Sequence, residues 1–304
     1  MRIATFNVQN LRLRRGPGAP TLDGARDGDD SPTGPDPARD LADRRLTASV
    51  IAAANPDIVC LQEVYDLPSL DHFHDAFLRP AGPAWPHRVC LPGNDGHGRD
   101  VAILSRRPLA EVASHAGLTP ADLDLAPPPG IDPSRPIFCR DVLRAQVGPL
   151  TLFVVHFKAP WPDPAAARAA RALEAAAVRR LVQRRVAHDP YALWLVLGDF
   201  NEPARTDGGP RAIAPLLAPF SCDLMDRLPP GDRWTYRLPG TGVHSCPDRI
   251  LAAPALARRW PDARPEIHRA GMPPDPDRTD PGAAARPRAS DHALLLLDLP
   301  GLQG

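Results

Sequence analysis

Lysine is almost missing from this chain, with Lys158 the only one among 36 lysines and arginines. Together with 40 prolines, this is the mark of a coding bias towards Arg, Pro and Ala, and it turns rare residues into signals. Asparagine is also rare, and two of the few, Asn7 and Asn201, fall in the motifs described below. The five cysteines are odd in number, widely spaced and form no CxxC pair, which argues against a disulfide framework or a structural zinc. Excess charge is absent, at 36 basic against 36 acidic residues, so no global basic signature advertises nucleic acid, although a local basic face stays open. Long apolar runs are absent too. The longest, Leu193 to Leu197 and Ala293 to Leu297, fall far short of the roughly 20 residues that cross a bilayer. The opening MRIATFNVQN has no long apolar segment after its one charge, so no membrane insertion and a cytoplasmic location are expected.

What is present is ordinary for a soluble globular protein: 43% hydrophobic and 24% charged residues. No internal repeat appears, and no linker separates two complete sets of strands. A single domain over 1–304 is therefore expected, with loop insertions near 14–39, 118–136 and 271–288 where Gly, Pro and Asp are dense. Short apolar runs read as strands: Arg2 to Val8, Ile58 to Gln62, Val101 to Ser105, Leu150 to Phe157, Leu193 to Asp199, Arg249 to Ala252 and Ala293 to Leu299. Runs this apolar belong to strands buried on both faces. Leu41, Leu46, Val50 and Ile51 suggest an amphipathic helix stopped at Asn55-Pro56. A second helix fits Ala165 to Val186, with Asp163 as its cap and Pro164 in its first turn.

The polar residues that end these strands carry the chemistry. In order they are Asn7, Glu63, His156, Asp199 with Asn201, Asp248, and Ser290-Asp291-His292. Strands that share a rim would gather them into a cluster with too many charges for a stabilising device. A divalent cation resolves the repulsion, and hard oxygen donors with no cysteine nearby suit magnesium or manganese.

The ordered pieces TFNVQN, PDIVCLQEV, GRDVAILSRRP, VVHFKAP, LVLGDFNEP, CPDRIL and SDH resemble the endonuclease/exonuclease/phosphatase, or deoxyribonuclease-I-like, superfamily over essentially the whole chain. The resemblance implies an α/β fold, a four-layered α/β sandwich of two packed mixed sheets flanked by helices. It also implies Mg2+- (or Mn2+-) assisted in-line attack of water on a phosphate ester. Carried over by residue, Glu63 is the main metal ligand with Asn7 and Asp291 beside it. Asp199 activates the water, Asn201 holds Asp199 and the phosphate in register, and Asp248 orients a protonated His292 towards a non-bridging oxygen. His156 takes a second oxygen, with Asp100 its candidate acidic partner. Lys158 replaces an amide common at that strand end, and its charge would suit a dianionic phosphate. Arg140 is a candidate substrate contact.

Singly, each of these residues is more often structural: asparagine in turns, glutamate as a solvated charge, histidine as a satisfied core group. Their joint occurrence carries the reading. The Trp234 to Arg237 segment is read as a base-stacking or a packing element, and the arginines at 168, 171, 179, 180, 184 and 185 as a solvated helix face. A nuclease-type phosphodiesterase is the first functional expectation, with nucleic acid as the implied partner. The alternatives are a phosphatase acting on a small molecule or lipid headgroup and a non-catalytic scaffold of the same fold.

Overall fold

A computed structural model describes residues 1–15, 18–26, 36–203, 211–239, 241–273 and 286–303. Its longer strands form two six-stranded mixed sheets. The first runs in the order Glu266–His268, Leu294–Asp298, Arg2–Leu11, Ile58–Val64, Asp100–Ser105 and His87–Cys90. The second runs Cys222–Asp223, Asp248–Ala252, Leu193–Asp199, Leu150–His156, Val142–Val147 and Ala110–Ala113. Each sheet has one parallel pair at its centre, Arg2–Leu11 beside Ile58–Val64 in the first and Leu193–Asp199 beside Leu150–His156 in the second. The flanking pairs are antiparallel.

Because successive side chains of a strand point to opposite faces, Ile3, Cys60 and Ile103 meet Leu152, Val154 and Leu197 between the sheets. Ala4, Phe6, Val59 and Leu61 point the other way, into a second core under Val50, Ile51 and Phe73. The helix Pro164–Arg185 covers the outer face of the second sheet with Leu173, Val178 and Val182. The outcome is the expected α/β sandwich of two packed mixed sheets flanked by helices. It also explains the continuous apolar runs, since every residue of Leu193–Asp199 is buried.

Local signals set the element ends. The first helix, Pro37–Ala54, begins with Asp36 accepting from the Ala38 and Arg39 amides at 3.1 and 3.2 Å. It ends where Asn55 turns left-handed, φ 47°, as asparagine tolerates, with Pro56 following. Asp163 accepts from Ala165 and Ala166 at 2.9 and 3.1 Å to open the long helix.

Several elements differ from the sequence reading. The strands Val142–Val147 and His87–Cys90 and the helix Leu67–Phe73 lie in segments that mix polar with apolar residues, so their pattern was too weak to mark. The 14–39 stretch is not wholly irregular: Leu13–Arg14 pairs with Thr21–Leu22, and the first helix already starts at Pro37. The 118–136 stretch carries only a short turn of helix, Ala121–Leu123, which buries Leu123. Most of the 271–288 stretch lies outside the described residues. Among the arginines expected on a solvated helix face, Arg171 is buried and donates to the Lys158 carbonyl at 3.0 Å. No described helix is long and apolar enough to cross a membrane.

Candidate active site

The sheet registers place the strand-end residues in one row. In the second sheet Asp199 pairs with His156 on one side and with Asp248 on the other. In the first sheet Asn7 pairs with Gln62, one residue before Glu63. Residues 290–292 lead into the strand Leu294–Asp298, the antiparallel neighbour of Arg2–Leu11. Both sheets therefore deliver their polar ends to the same edge of the sandwich.

Hydrogen bonds stitch the two edges together. Asn7 Nδ2 donates to Glu63 Oε1 and to Asp199 Oδ2, both at 3.2 Å, joining the sheets. His292 Nδ1 donates to Asp248 Oδ2 at 2.9 Å, while its Nε2 lies 3.9 Å from Asp199 Oδ2. His156 Nε2 lies 3.6 Å from the same Asp199 oxygen. The Asn201 amide donates to Asp199 Oδ1 at 2.8 Å, and its side chain donates to the Phe157 carbonyl at 3.0 Å. The Ser290 hydroxyl donates to the Asn7 carbonyl at 2.6 Å, tying the segment before His292 to the first strand.

Backbone conformation is unusual at the same place. Gln9, Asn10, Glu63 and Asn201 all have positive φ, between 47° and 65°, and non-glycine residues held in such regions cluster at functional sites. The Gln9–Asn10 turn has a visible restraint. Arg44, fully buried in the first helix, donates to the carbonyls of Val8, Gln9 and Asn10 at 2.6, 2.6 and 3.0 Å. The amides of the same turn point to the site, Gln9 to Asn7 Oδ1 and Asn10 to Glu63 Oε2, both at 3.0 Å.

The electrostatics separate the titrating groups. Burial, reinforced by Asp248, pushes the Asp199 carboxyl up to about 6 against the pull of His292. Burial disfavours the charged form of His292, but Asp248, Asp291 and Asp199 together raise it well above its ordinary value, so it is an imidazolium at neutral pH. His156 goes the other way. Burial and the positive charges of Arg140, His292 and Arg99 hold it well below the ordinary value, and it stays neutral.

These residues fit a hard divalent cation. Ligand atoms of Asp199, Asp248 and His292 lie within 4.8 Å of one another, but His292 as an imidazolium has no lone pair to give, so the oxygen donors are the carboxylates of this cluster with Glu63, which shares the Asn7 amide with Asp199, and Asp291, 3.4 Å from Ser290 Oγ. Burial is the main cause of the rise at Asp199, and the repulsion from Asp248 that adds to it is what a cation relieves. Asn7 presents Nδ2 to the acids and engages Oδ1 with Gln9, so ligation by Asn7 requires the opposite orientation of its amide.

Not every expected residue reaches this centre. Lys158 turns its ammonium to the Trp161 carbonyl at 2.7 Å, because the chain leaves the strand immediately after His156 and the following turn offers that acceptor. Arg140 is buried beside the site, with Nη1 on the Phe157 carbonyl at 2.7 Å and Nε 3.4 Å from Asp95. Asp100 is not the group facing His156. Its carboxyl sits against Gly93 with Asp141, Asp95 and Arg140 as charged neighbours, and burial raises it to about 6. The acid that faces His156 is Asp199; the Arg99 carbonyl also lies towards the ring, while Nδ1 has no hydrogen-bond partner of normal geometry among the described residues. Strand alternation explains the difference, since Asp100 shares its face with Ala102 and Leu104, which pack into the outer core, whereas Val101 and Ile103 face the space between the sheets. Tyr236 packs its ring 4.8 Å from that of His292, and Trp234 stacks on His244 at 4.1 Å.

Arg44 and Arg99 were missed in the sequence. In a chain this rich in arginine, no residue type or spacing distinguishes them.

The family model described as "Endonuclease/Exonuclease/phosphatase family" matches residues 4–292. Among the curated proteins searched, none matches. Solved structures with the same fold include an AP endonuclease from Archaeoglobus fulgidus, with TM-score 0.59 and 18% identity over 99% of each chain. The 3' phosphatase NExo from Neisseria, bound to a product DNA hairpin, aligns with TM-score 0.57 and 21% identity over 98% of this chain and 99% of its own. A mannosyl-6-phosphatase from Bacteroides thetaiotaomicron aligns with TM-score 0.59 and 14% identity over 98% of each chain.

Proposed function

The chain belongs to the endonuclease/exonuclease/phosphatase family of phosphoric ester hydrolases, and from that premise we propose that it hydrolyses phosphodiesters, in the manner of a nuclease, with a bound Mg2+ (or Mn2+). Glu63, with Asn7 and Asp291, would hold the cation. When bound, the cation supplies Lewis-acid neutralisation of charge on the phosphoryl group.

The chain's own residues do the rest. Asp199, ionised, takes a proton from the attacking water, and the Asn201 amide on Oδ1 aims its other oxygen. The water oxygen bonds to phosphorus as the opposite P–O ester bond breaks, and the departing oxygen takes up a proton from solvent. Negative charge grows on the non-bridging oxygens. His292 donates Nε2–H to one of them, with Asp248 fixing Nδ1, and a positioned donor of this kind contributes most where charge develops. Neutral His156 offers Nε2 beside it.

One observation favours a diester over a monoester. Lys158, whose charge would suit a dianionic phosphate, is engaged with Trp161, and Arg140 is engaged with Phe157 and Asp95. That leaves His292, bonded to Asp248 and 3.9 Å from Asp199, to add one protein charge beside the bound metal, as a singly charged diester needs. The test is a panel of bis-p-nitrophenyl phosphate, p-nitrophenyl phosphate, plasmid and single-stranded DNA, each with magnesium and then with EDTA. Release from the monoester alone would replace this reading with a phosphatase. No turnover on any substrate, or turnover indifferent to EDTA, would point to a scaffold or to metal-independent chemistry.

A further inference from the structure

The rim of the site carries a basic edge that the catalytic scheme does not use. Leu11, Val64 and Asp100 stand side by side in register across three neighbouring strands of the first sheet. The residues just beyond that row are Arg12, Tyr65 and Arg99. Arg12 places its guanidinium over the Tyr65 ring, 5.5 Å from the centroid. Arg99 bonds the Tyr65 hydroxyl and donates from Nε to Asn10 Oδ1 at 2.9 Å. Tyr65 itself is braced by Gly98, φ 74°, where a Cβ would come within 3.0 Å of the ring. Two cations from distant parts of the sequence are thus mounted on one tyrosine.

Its position relative to the chemistry decides what this edge can do. Arg99 Nε lies 3.9 Å from Glu63 Oε2, so the edge begins where the candidate metal ligands end. Its side chain is 32% exposed, whereas those of His156, Asp199, Asp248 and His292 are no more than 9% exposed. The edge therefore lies on the solvent side of the buried Asp199–His292 pair. A phosphate neighbouring the scissile one in the same strand, one step towards solvent, would meet it.

We propose that Arg99 and Arg12, mounted on Tyr65, bind the phosphate that flanks the scissile one, which makes a polynucleotide strand the substrate class. This deepens the phosphodiesterase reading and rests on it. Guanidinium groups suit phosphate because their donors lie in one plane and fork. The charge assigned to Lys158 on sequence grounds belongs, for substrate binding, to this pair.

The test is steady-state cleavage of a single-stranded oligonucleotide by the full chain, wild type and Arg99→Ala, Arg99→Lys and Arg12→Ala, across a salt series. Arg12→Ala is expected to raise KM with kcat within about threefold, and Arg99→Ala to raise KM about tenfold. Arg99→Ala should also flatten the dependence of log KM on log salt by about one, as the loss of one phosphate contact requires. Arg99→Lys should keep most of the salt slope, and Arg12→Ala should follow Arg99→Ala with a smaller rise in KM. A drop in kcat of Arg12→Ala that matches its drop in kcat/KM, or an unchanged salt slope in Arg99→Ala, would overturn the proposal. Binding of the same oligonucleotide in EDTA, read by fluorescence anisotropy, gives a measure independent of turnover, and equal affinity of wild type and Arg99→Ala would also overturn it. Should the wild-type protein cleave bis-p-nitrophenyl phosphate and no oligonucleotide, this inference falls while the phosphodiesterase reading stands. Should it cleave neither, the reading itself falls.

Discussion

Asp248 and His292 join the two sheets: the carboxylate of one closes on Nδ1 of the other at 2.9 Å across 44 residues of chain. The imidazole is thereby fixed in one orientation and kept charged, with Nε2 free to face Asp199. Asp248→Asn keeps the shape and removes the charge. His292, no longer held well above its ordinary value by that carboxylate, should lose its proton at lower pH, so the alkaline limb of the pH–rate profile moves down. At neutral pH, kcat should fall on the order of 10²–10³-fold. Stability follows the same sign. A histidine raised in the folded state contributes stability that is fully present below about 6.5 and lost as pH rises through the raised value. The variant should therefore melt below wild type at pH 6, with the gap closing at alkaline pH. An unmoved alkaline limb would show that Asp248 does not control His292.

Burial of Asp199 carries a cost to stability that its proposed role as the activator of water would require. Its carboxyl is raised from 3.8 to about 6 by burial and by Asp248. A raised acid is most favourable to folding below its unfolded value, and that contribution is lost as pH rises through about 6. In EDTA at pH 7.5, Asp199→Asn should therefore raise the melting temperature, by the equivalent of about 1–3 kcal/mol, while abolishing most turnover with magnesium restored. A variant that turns over near the wild-type rate would refute its assignment as the group that activates water.

Glu63→Gln should act through metal. Glu63 accepts from Asn7 Nδ2 and from the Asn10 amide, so the amide substitution keeps the size, removes a charge and turns one of the two acceptors into a donor. The magnesium concentration for half-maximal rate should rise on the order of 10–100-fold, with kcat largely recovered at saturation. Isothermal titration with manganese provides the matching binding measurement, and equal affinities would remove Glu63 from the ligand set.

Gly198→Ala tests the backbone beneath the catalytic row. Gly198 has φ 140°, and a Cβ there would sit far inside van der Waals contact of the Val155 carbonyl on the neighbouring parallel strand. Neither neighbour can give way without parting His156 from Asp199. Urea unfolding should show a loss of about 3 kcal/mol or more. A midpoint within about 0.3 M of wild type would mean that the strands separate more freely than their pairing implies.

Strands and caps were legible where one local rule acted alone. Leu193–Asp199 was marked to the residue because a strand buried on both faces must be apolar throughout, and Asp163-Pro164 marked its helix because the cap is a neighbour in sequence. Val142–Val147 was not marked, since Arg144 and Gln146 break its apolar pattern. Asp100 was paired with the wrong partner for a related reason: proximity in sequence to a motif says nothing about which side of the strand a carboxyl leaves.

Sequence by itself determined the inventory: which acids, amides and imidazoles stand at strand ends. Tertiary structure decided their assignments. Only the register of two separate sheets sets Asp199 between His156 and Asp248, turns Lys158 away to Trp161, and brings Arg12 and Arg99 onto Tyr65. Composition and local pattern are properties of short stretches of chain, whereas the protonation of a buried group depends on neighbours that only folding brings within a few ångströms.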